Sequence, residues 1–408
     1  MSNKRFWINI SLVSLSLVAI LGFLLRSKIL FPLPVINYDF LLGAHSHFAL
    51  GGWVTIALLN LLTYTLLPPP FQQRSWYQRM LWGLLITSFG MLFSFFFLGN
   101  GVIAELFSTF FIFFTYGYSG CFIKDLLSVN PKGPANYLAL GAIICLVISS
   151  AGPFTFTYLL ASGNKNVLLY KDSNFFYLHF QYNGFFTLAV FALLFHAAYN
   201  TVKGNIVPKA TKWFTSLLLA SVIPSFFLAL LWHSNSAIIS ILAKTGAALI
   251  IASLIFFFRM GSSFPLKRVY NSTLARTLCF LVLVSFIIKS ILQIGTVIPG
   301  LGNAVFGLRP IIIGFLHLVF LGLATFYILS NYIMAGAINV QNYFVRFSLS
   351  IFTSAVLLQE TILLVQGIGL LLGTAHAVYK WLLWFAAIGL LAGSLLLVLS
   401  TIKLRPGK

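Results

Sequence analysis

The sequence predicts an all-α polytopic membrane protein of about twelve spanning helices, and three observations carry that prediction. Sixty per cent of the 408 residues are apolar and only 7% are charged, where a soluble domain carries about 25% charged residues. The apolar residues fall in runs long enough to cross hydrocarbon, which takes about 20 residues for about 30 Å. The runs are joined by short connections that carry turn residues. No stretch is polar and long enough for a separate soluble domain, so residues 1–408 read as a single membrane domain.

The elements follow in order. The opening MSNKRFWINISLVSLSLVAILGFLLRSK has the basic start and apolar core of a signal peptide. It lacks a small-x-small cleavage site and its apolar run is long, so 6–29 reads as a retained first helix. The second run, 39–67, carries GAHSHFALGGW near its start and ends at PPPFQQR, 68–74. Runs at 79–99 and 101–124 follow, closed by NPKGP at 130–134. The fifth and sixth, 135–161 and 175–202, lead to KGNIVPK at 203–209. The seventh and eighth, 212–233 and 237–259, end before SSFPLK at 262–267. The ninth, 272–297, meets IPGLGN at 298–303, and 309–335, 344–371 and 378–402 complete the set. Pro153 and Pro224 fall inside the fifth and seventh runs, where a proline breaks or kinks a helix. No short-period repeat is visible.

The formal net charge of +20 does not imply nucleic-acid binding, because the cations sit mainly in short loops. Membrane topology accounts for them. With the N-terminus cytoplasmic, 17 of the 25 Lys and Arg lie at cytoplasmic ends or tails, 6 lie outside and Lys244 and Lys289 lie within spans. Both termini are thus expected in the cytoplasm. Cys121, Cys145 and Cys279 lie in or at the ends of separate apolar runs without a CxxC, and read as small buried side chains.

The histidines are unevenly placed. In this orientation His45, His47, His179, His233, His317 and His376 all fall near the outer side, and only His196 falls on the other. A histidine in hydrocarbon is tolerated when it is paired, faces a polar cavity or binds something. His233 and His376 read as interfacial residues at helix ends. His45, His47, His179 and His317 read as functional. Neutral imidazole suits iron, copper and zinc, and it is a common axial ligand of haem. Gly43, Gly51 and Gly52 near the His45–His47 stretch, and Gly314 three residues before His317, are expected to leave room for a porphyrin. His45 and His47 are two apart, about 200° around a helix, so they face different partners.

About twelve helices, with histidines near the outer ends of the second, sixth and tenth, resemble the catalytic subunit (subunit I) of the haem-copper oxidase and nitric oxide reductase superfamily. HFQYNGFFTLAVF, 179–191, is similar to the sixth helix of the C-type oxidases and nitric oxide reductases. The resemblance implies a subunit I-like bundle with a low-spin haem, b-type, held between the second and tenth helices. It makes His45 or His47 one ligand and His317 the other, and it matches His179 to the sixth-helix ligand of a copper or non-haem iron. The chain departs from the family in its metal ligands. The tenth helix has one histidine instead of a His-x-His pair, and the seventh has only His233 at its end. Asn183 stands four residues after His179, and Tyr182 has the wrong spacing for a His–Tyr crosslink. The resemblance therefore implies a diverged haem protein of electron transfer or of oxygen or nitric oxide chemistry, an oxidoreductase activity remaining open. Cytochromes or other respiratory subunits are the expected partners beside the lipid bilayer, and the bacterial inner (plasma) membrane is the expected location.

Buried charges leave other classes open. Lys244, Lys289 and Glu360 lie within spans, and Glu105 near the outer start of the fourth. A charge at the membrane centre costs about 2.5–3.5 kcal/mol on insertion scales, so such groups pair or face a cavity. Glu360 is expected to pair with Lys289 or Lys244, or the set forms a proton path. Arg309, Lys380 and Lys171 lie on the side suited to haem propionates. The competing readings are a transporter that uses Lys244, Lys289, Glu105 and Glu360, and a cofactor-free assembly factor whose histidines hydrogen-bond between helices.

Overall fold

The computed structural model describes residues 3–129, 132–200, 207–261, 264, 266–374 and 376–403. Lys203, Arg405 and Lys408, counted above for orientation, lie outside the described residues. Among the described residues there is no strand, and twelve helices are long and apolar enough to span a membrane. They are α1 (Lys4–Leu30), α2 (Tyr38–Leu66), α3 (Ser75–Leu98), α4 (Val102–Ser128), α5 (Pro134–Ala161) and α6 (Val167–Tyr199). The second half comprises α7 (Lys209–Leu230), α8 (Ala237–Gly261), α9 (Thr273–Gly295), α10 (Arg309–Met334), α11 (Tyr343–Leu371) and α12 (Val378–Thr401). Only helices satisfy every backbone group within one segment in lipid, which is why the apolar runs take this form.

The helix ends follow local chemistry. Asn37 caps α2 by accepting from the Asp39 and Phe40 amides at 2.9 and 3.2 Å. Asn166 caps α6 through the Leu169 amide at 3.0 Å, so α6 starts at Val167 rather than at the predicted 175. The apolar pattern alone missed that first polar stretch, VLLYKDSN. Gly99, at φ +70°, ends α3 in a conformation that side chains avoid. Pro153 follows an interruption of α5 at Ser150, and after Pro224 the last turn of α7 tightens over Phe227–Leu230. Each proline lacks the N–H that the carbonyl four residues back would accept.

Three helices form the centre. Phe185–Phe195 of α6, Ile56–Leu59 of α2 and Leu323–Leu329 of α10 are almost completely covered. A helix that is apolar and covered on all sides belongs inside a bundle. α2, α6 and α10 touch one another, while α3 packs on α4, α7 on α8, α11 on α12, and α12 returns to α1. The arrangement therefore recurs every four helices: the second of each four is central, and the third and fourth pair outside it. Sequence reading found no repeat because the correspondence lies in helix position, not in residues at a fixed period.

Each central helix widens into a π-helical stretch, at Phe48–Thr55, Phe180–Phe186 and Leu318–Thr325. The stretches begin directly after His47, His179 and His317. Such widenings are often found at functional sites. Threonine hydroxyls take up carbonyls five residues back, Thr187 to Tyr182 O at 2.5 Å and Thr325 to Phe320 O at 2.8 Å. The Trp53 indole N–H then donates to Thr325 Oγ1 at 3.2 Å, joining α2 to α10. At the opposite end of the bundle Arg74 pairs with Asp125, which also accepts from Tyr77 Oη at 2.9 Å.

Candidate functional site at helices α2 and α10

The second turn of α2 carries His45, and its ring lies against α1. A Cβ on Gly22 would stand 3.3 Å from His45 Cε1, so the glycine is what admits the ring. The ring is partly covered, and His45 Nδ1, the nitrogen on the side of Gly22, is buried without a partner. On α10, His317 Nδ1 donates to the Ile313 carbonyl at 2.9 Å, which leaves Nε2 with its lone pair. His45 and His317 lie close enough to act on each other electrostatically. His317 thus bonds one backbone carbonyl and keeps Nε2 free, and His45 keeps an unpartnered Nδ1. That is the state in which a histidine binds a metal, with the other nitrogen fixing tautomer and orientation.

Two cations border the pair. Arg26 is one turn beyond Gly22 on α1 and acts on His45, His317 and Glu360. Arg309 opens α10, donates Nη2–H to Tyr38 Oη at 3.1 Å and lies over the Tyr38 ring at 5.2 Å. Arg309 is therefore tied to the start of the helix that bears His45. No residue of Arg309–His317 is buried, and His45 is only partly covered.

The helix α11 forms the next wall. A Cβ on Gly314 would meet Leu363 Cβ at 3.4 Å, and one on Gly367 would meet Ile311 Cγ1 at 3.2 Å. These contacts fix an antiparallel register that brings Glu360 to the level of His317. Glu360 Oε1 is buried without a partner. Among the described residues Glu360 forms no ion pair, so the expected bridge to Lys289 or Lys244 is corrected. Lys244 lies exposed on α8, and Lys289 lies on α9 beside His179, whose charge environment it shapes.

The other histidines are engaged differently. His47 stacks on Phe95 of α3, with centroids 4.2 Å apart and planes at 10°. The two-residue spacing has turned it away from His45. His179 has both nitrogens committed: Nε2 donates to the Val222 carbonyl at 2.7 Å, and Asn183 Nδ2 donates to Nδ1 at 3.1 Å. It has no lone pair left for a metal, which corrects its expected ligand role. Among the described residues no group of three or more His, Cys, Asp or Glu could hold a metal ion. The residues present therefore do not fit a copper or non-haem iron. His233 pairs with Asp172 at 2.9 Å and His376 is exposed, both near helix ends. Glu105 accepts from Thr157 Oγ1 at 2.9 Å and joins α4 to α5. Lys380 is exposed at the start of α12.

The glycines do not open the space expected of them. Gly51 faces the Phe111 ring, Gly52 the Phe48 ring, Gly43 the Phe95 ring and Gly314 Leu363, all within 3.4 Å of where a Cβ would stand. They admit neighbouring side chains. Gly22, which sequence reading passed over, serves the histidine. Arg26 and Tyr38 were also missed as site residues; the only signal was the four-residue spacing of Val18, Gly22 and Arg26, which puts them on one face of α1. All three cysteines are free thiols.

The residues at α2 and α10 whose chemistry suits a haem are the imidazoles of His45 and His317, with Arg26 and Arg309 beside them. No protein-family model matches the chain, and no curated protein matches it either.

Proposed function

We propose that this chain is a haem-binding membrane protein of electron transfer, with His45 and His317 as the axial ligands. The observation that carries the reading is that these two imidazoles, on α2 and α10, lie close enough to act on each other, with His317 Nδ1 bonded to backbone and His45 Nδ1 unpartnered. The His45 ring is held by α1 and the His317 ring by its own helix, so both donors are oriented before any ligand arrives. Arg26 and Arg309 supply positive charge for carboxylate groups such as haem propionates. Tyr38 holds Arg309 in that position. A b-type haem so bound supplies reversible one-electron transfer, its potential set by axial ligands and burial.

The resemblance to the haem-copper oxidase and nitric oxide reductase superfamily supports the same reading. It suggests respiratory electron transfer, or oxygen or nitric oxide chemistry, with cytochromes or other respiratory subunits as partners. The distribution of Lys and Arg suggests a bacterial inner membrane with both termini cytoplasmic. A transporter is less well supported, because Lys244 is exposed and Glu105 is spent on Thr157.

The test is an absorption spectrum of the detergent-purified protein, oxidised and dithionite-reduced, with a pyridine haemochrome assay. The expected result is about one b-type haem per chain and a sharp reduced α-band. A protein that stays featureless after haem-supplemented expression overturns the reading.

A further inference from the structure

A second polar region lies between α6, α7 and α9. It encloses a cavity of about 10 Å³ bordered by Asn183, Ser221, Ser225, Lys289, Ser290 and Gln293. That is room for about one water-sized group. Lys289 is 4% exposed. Among the described residues it has neither a hydrogen bond nor an ion pair, and its Nζ lies over the Phe286 ring at 5.7 Å.

The surrounding groups turn acceptors toward the cavity. Ser221, Ser225 and Ser290 give their hydroxyl hydrogens to the carbonyls of Leu218, Val222 and Phe286 at 2.8, 3.2 and 2.8 Å. Their oxygens keep lone pairs. Asn183 gives an N–H to His179, and its Oδ1 is buried without a partner. The chain has five acidic residues, Asp39, Glu105, Asp125, Asp172 and Glu360, and none borders this cavity. Oxygen acceptors gathered in a dry interior repel one another unless a cation or a donor stands among them.

We propose that this chamber is a cation site whose charge is supplied by the chain's own Lys289 ammonium at its wall, so that it takes no metal ion. Two features exclude a metal. His179, the nearest imidazole, directs a hydrogen and not a lone pair at Val222, and its second nitrogen is spent on Asn183. The tethered positive charge repels a second cation in a medium of low dielectric. In place of Lys289 the site would accept a small primary alkylammonium ion, which brings the same charge and the same N–H donors. The site is separate from the His45–His317 pair, and its test uses no haem readout.

The test compares full-length wild-type protein with Lys289→Ala and Lys289→Met in detergent micelles. Ethylammonium chloride is titrated against matched sodium chloride while the melting midpoint is read. Lys289→Ala is expected to show a saturable rise of several degrees, as for any ligand that binds only the folded state. Wild type and Lys289→Met are expected to show none, because a side chain at residue 289 leaves room for no more than a water-sized group. Copper, zinc and iron beyond haem are expected well below one per chain in all three. An unresponsive Lys289→Ala overturns the proposal, as does one copper, zinc or non-haem iron per chain that His179→Ala removes. Should Lys289→Ala not accumulate, Gln293→Glu decides. Its carboxylate is expected to be tolerated beside the ammonium and to unfold Lys289→Met. Equal effects in the two backgrounds overturn the proposal.

Discussion

The α2–α10 region and the α6–α9 region both bury histidine beside a basic residue, yet they differ in what each imidazole has left to give. His45 and His317 keep one nitrogen apiece, in a place where α10 is incompletely packed. His179 gives both nitrogens to its neighbours and is 2% exposed in tight packing. The first arrangement leaves ring nitrogens without partners and the second is a finished interhelical bond. What separates them is the count of hydrogen bonds at each ring, which a buried polar group must satisfy one way or another.

The strongest way to break that comparison is to remove a ring from each region. His317→Ala and His45→Ala are expected to abolish the reduced α-band, whereas His47→Ala, which loses only the stack on Phe95, is expected to retain it. Haem per chain by pyridine haemochrome checks all three. If His47→Ala loses haem and His45→Ala keeps it, the assignment of the ligand pair is reversed.

His179→Ala is expected to leave haem content unchanged and to lower stability by about 1–3 kcal/mol, since it strands the Val222 carbonyl and the Asn183 amide. Denaturant or thermal unfolding of the purified protein measures it. A loss of haem on this substitution would join the two regions and defeat the distinction drawn between them.

These tests follow a boundary in what the sequence disclosed. Twelve spans, their turn residues and the depth of His45, His47, His179 and His317 were legible, because apolar length and proline or glycine punctuation are local. The opposite facing of His45 and His47 followed from helix geometry alone. That His45 rather than His47 lies near His317 was not legible, because it depends on how α1, α2, α10 and α11 meet. Nor was the engagement of His179, whose partner Val222 is a backbone carbonyl on another helix. Glycines misled for the same reason. A glycine near a histidine in sequence says that something approaches closely, and here it was Phe95, Phe111, Phe48 or Leu363.

The arginines rank next. Arg26 is partly buried and acts on both histidines, while Arg309 is exposed and held by Tyr38. Exposed charge pairs contribute about 0–1 kcal/mol, so Arg309→Ala is expected to speed haem loss by about fivefold or less. Arg26→Ala is expected to have the larger effect, since low dielectric strengthens its interactions. Haem transfer to excess apomyoglobin gives both rates. The reverse order would place the carboxylate contact at the rim.

The smallest change tests the finest feature. A methyl group on Gly22 would stand 3.3 Å from His45 Cε1, close enough that the ring must yield by a few tenths of an ångström. The ring has room to yield, because His45 is only partly covered. Gly22→Ala is therefore expected to keep its haem and to shift the α-band or the low-temperature electron spin resonance of the oxidised form, which report the angle between axial imidazoles. Gly51→Ala provides the contrast, because its Cβ would meet Phe111 at 3.1 Å and touch no histidine. It is expected to cost stability without a spectral change. Should Gly51→Ala move the spectrum and Gly22→Ala not, the ring that faces the haem is not the one lying on α1.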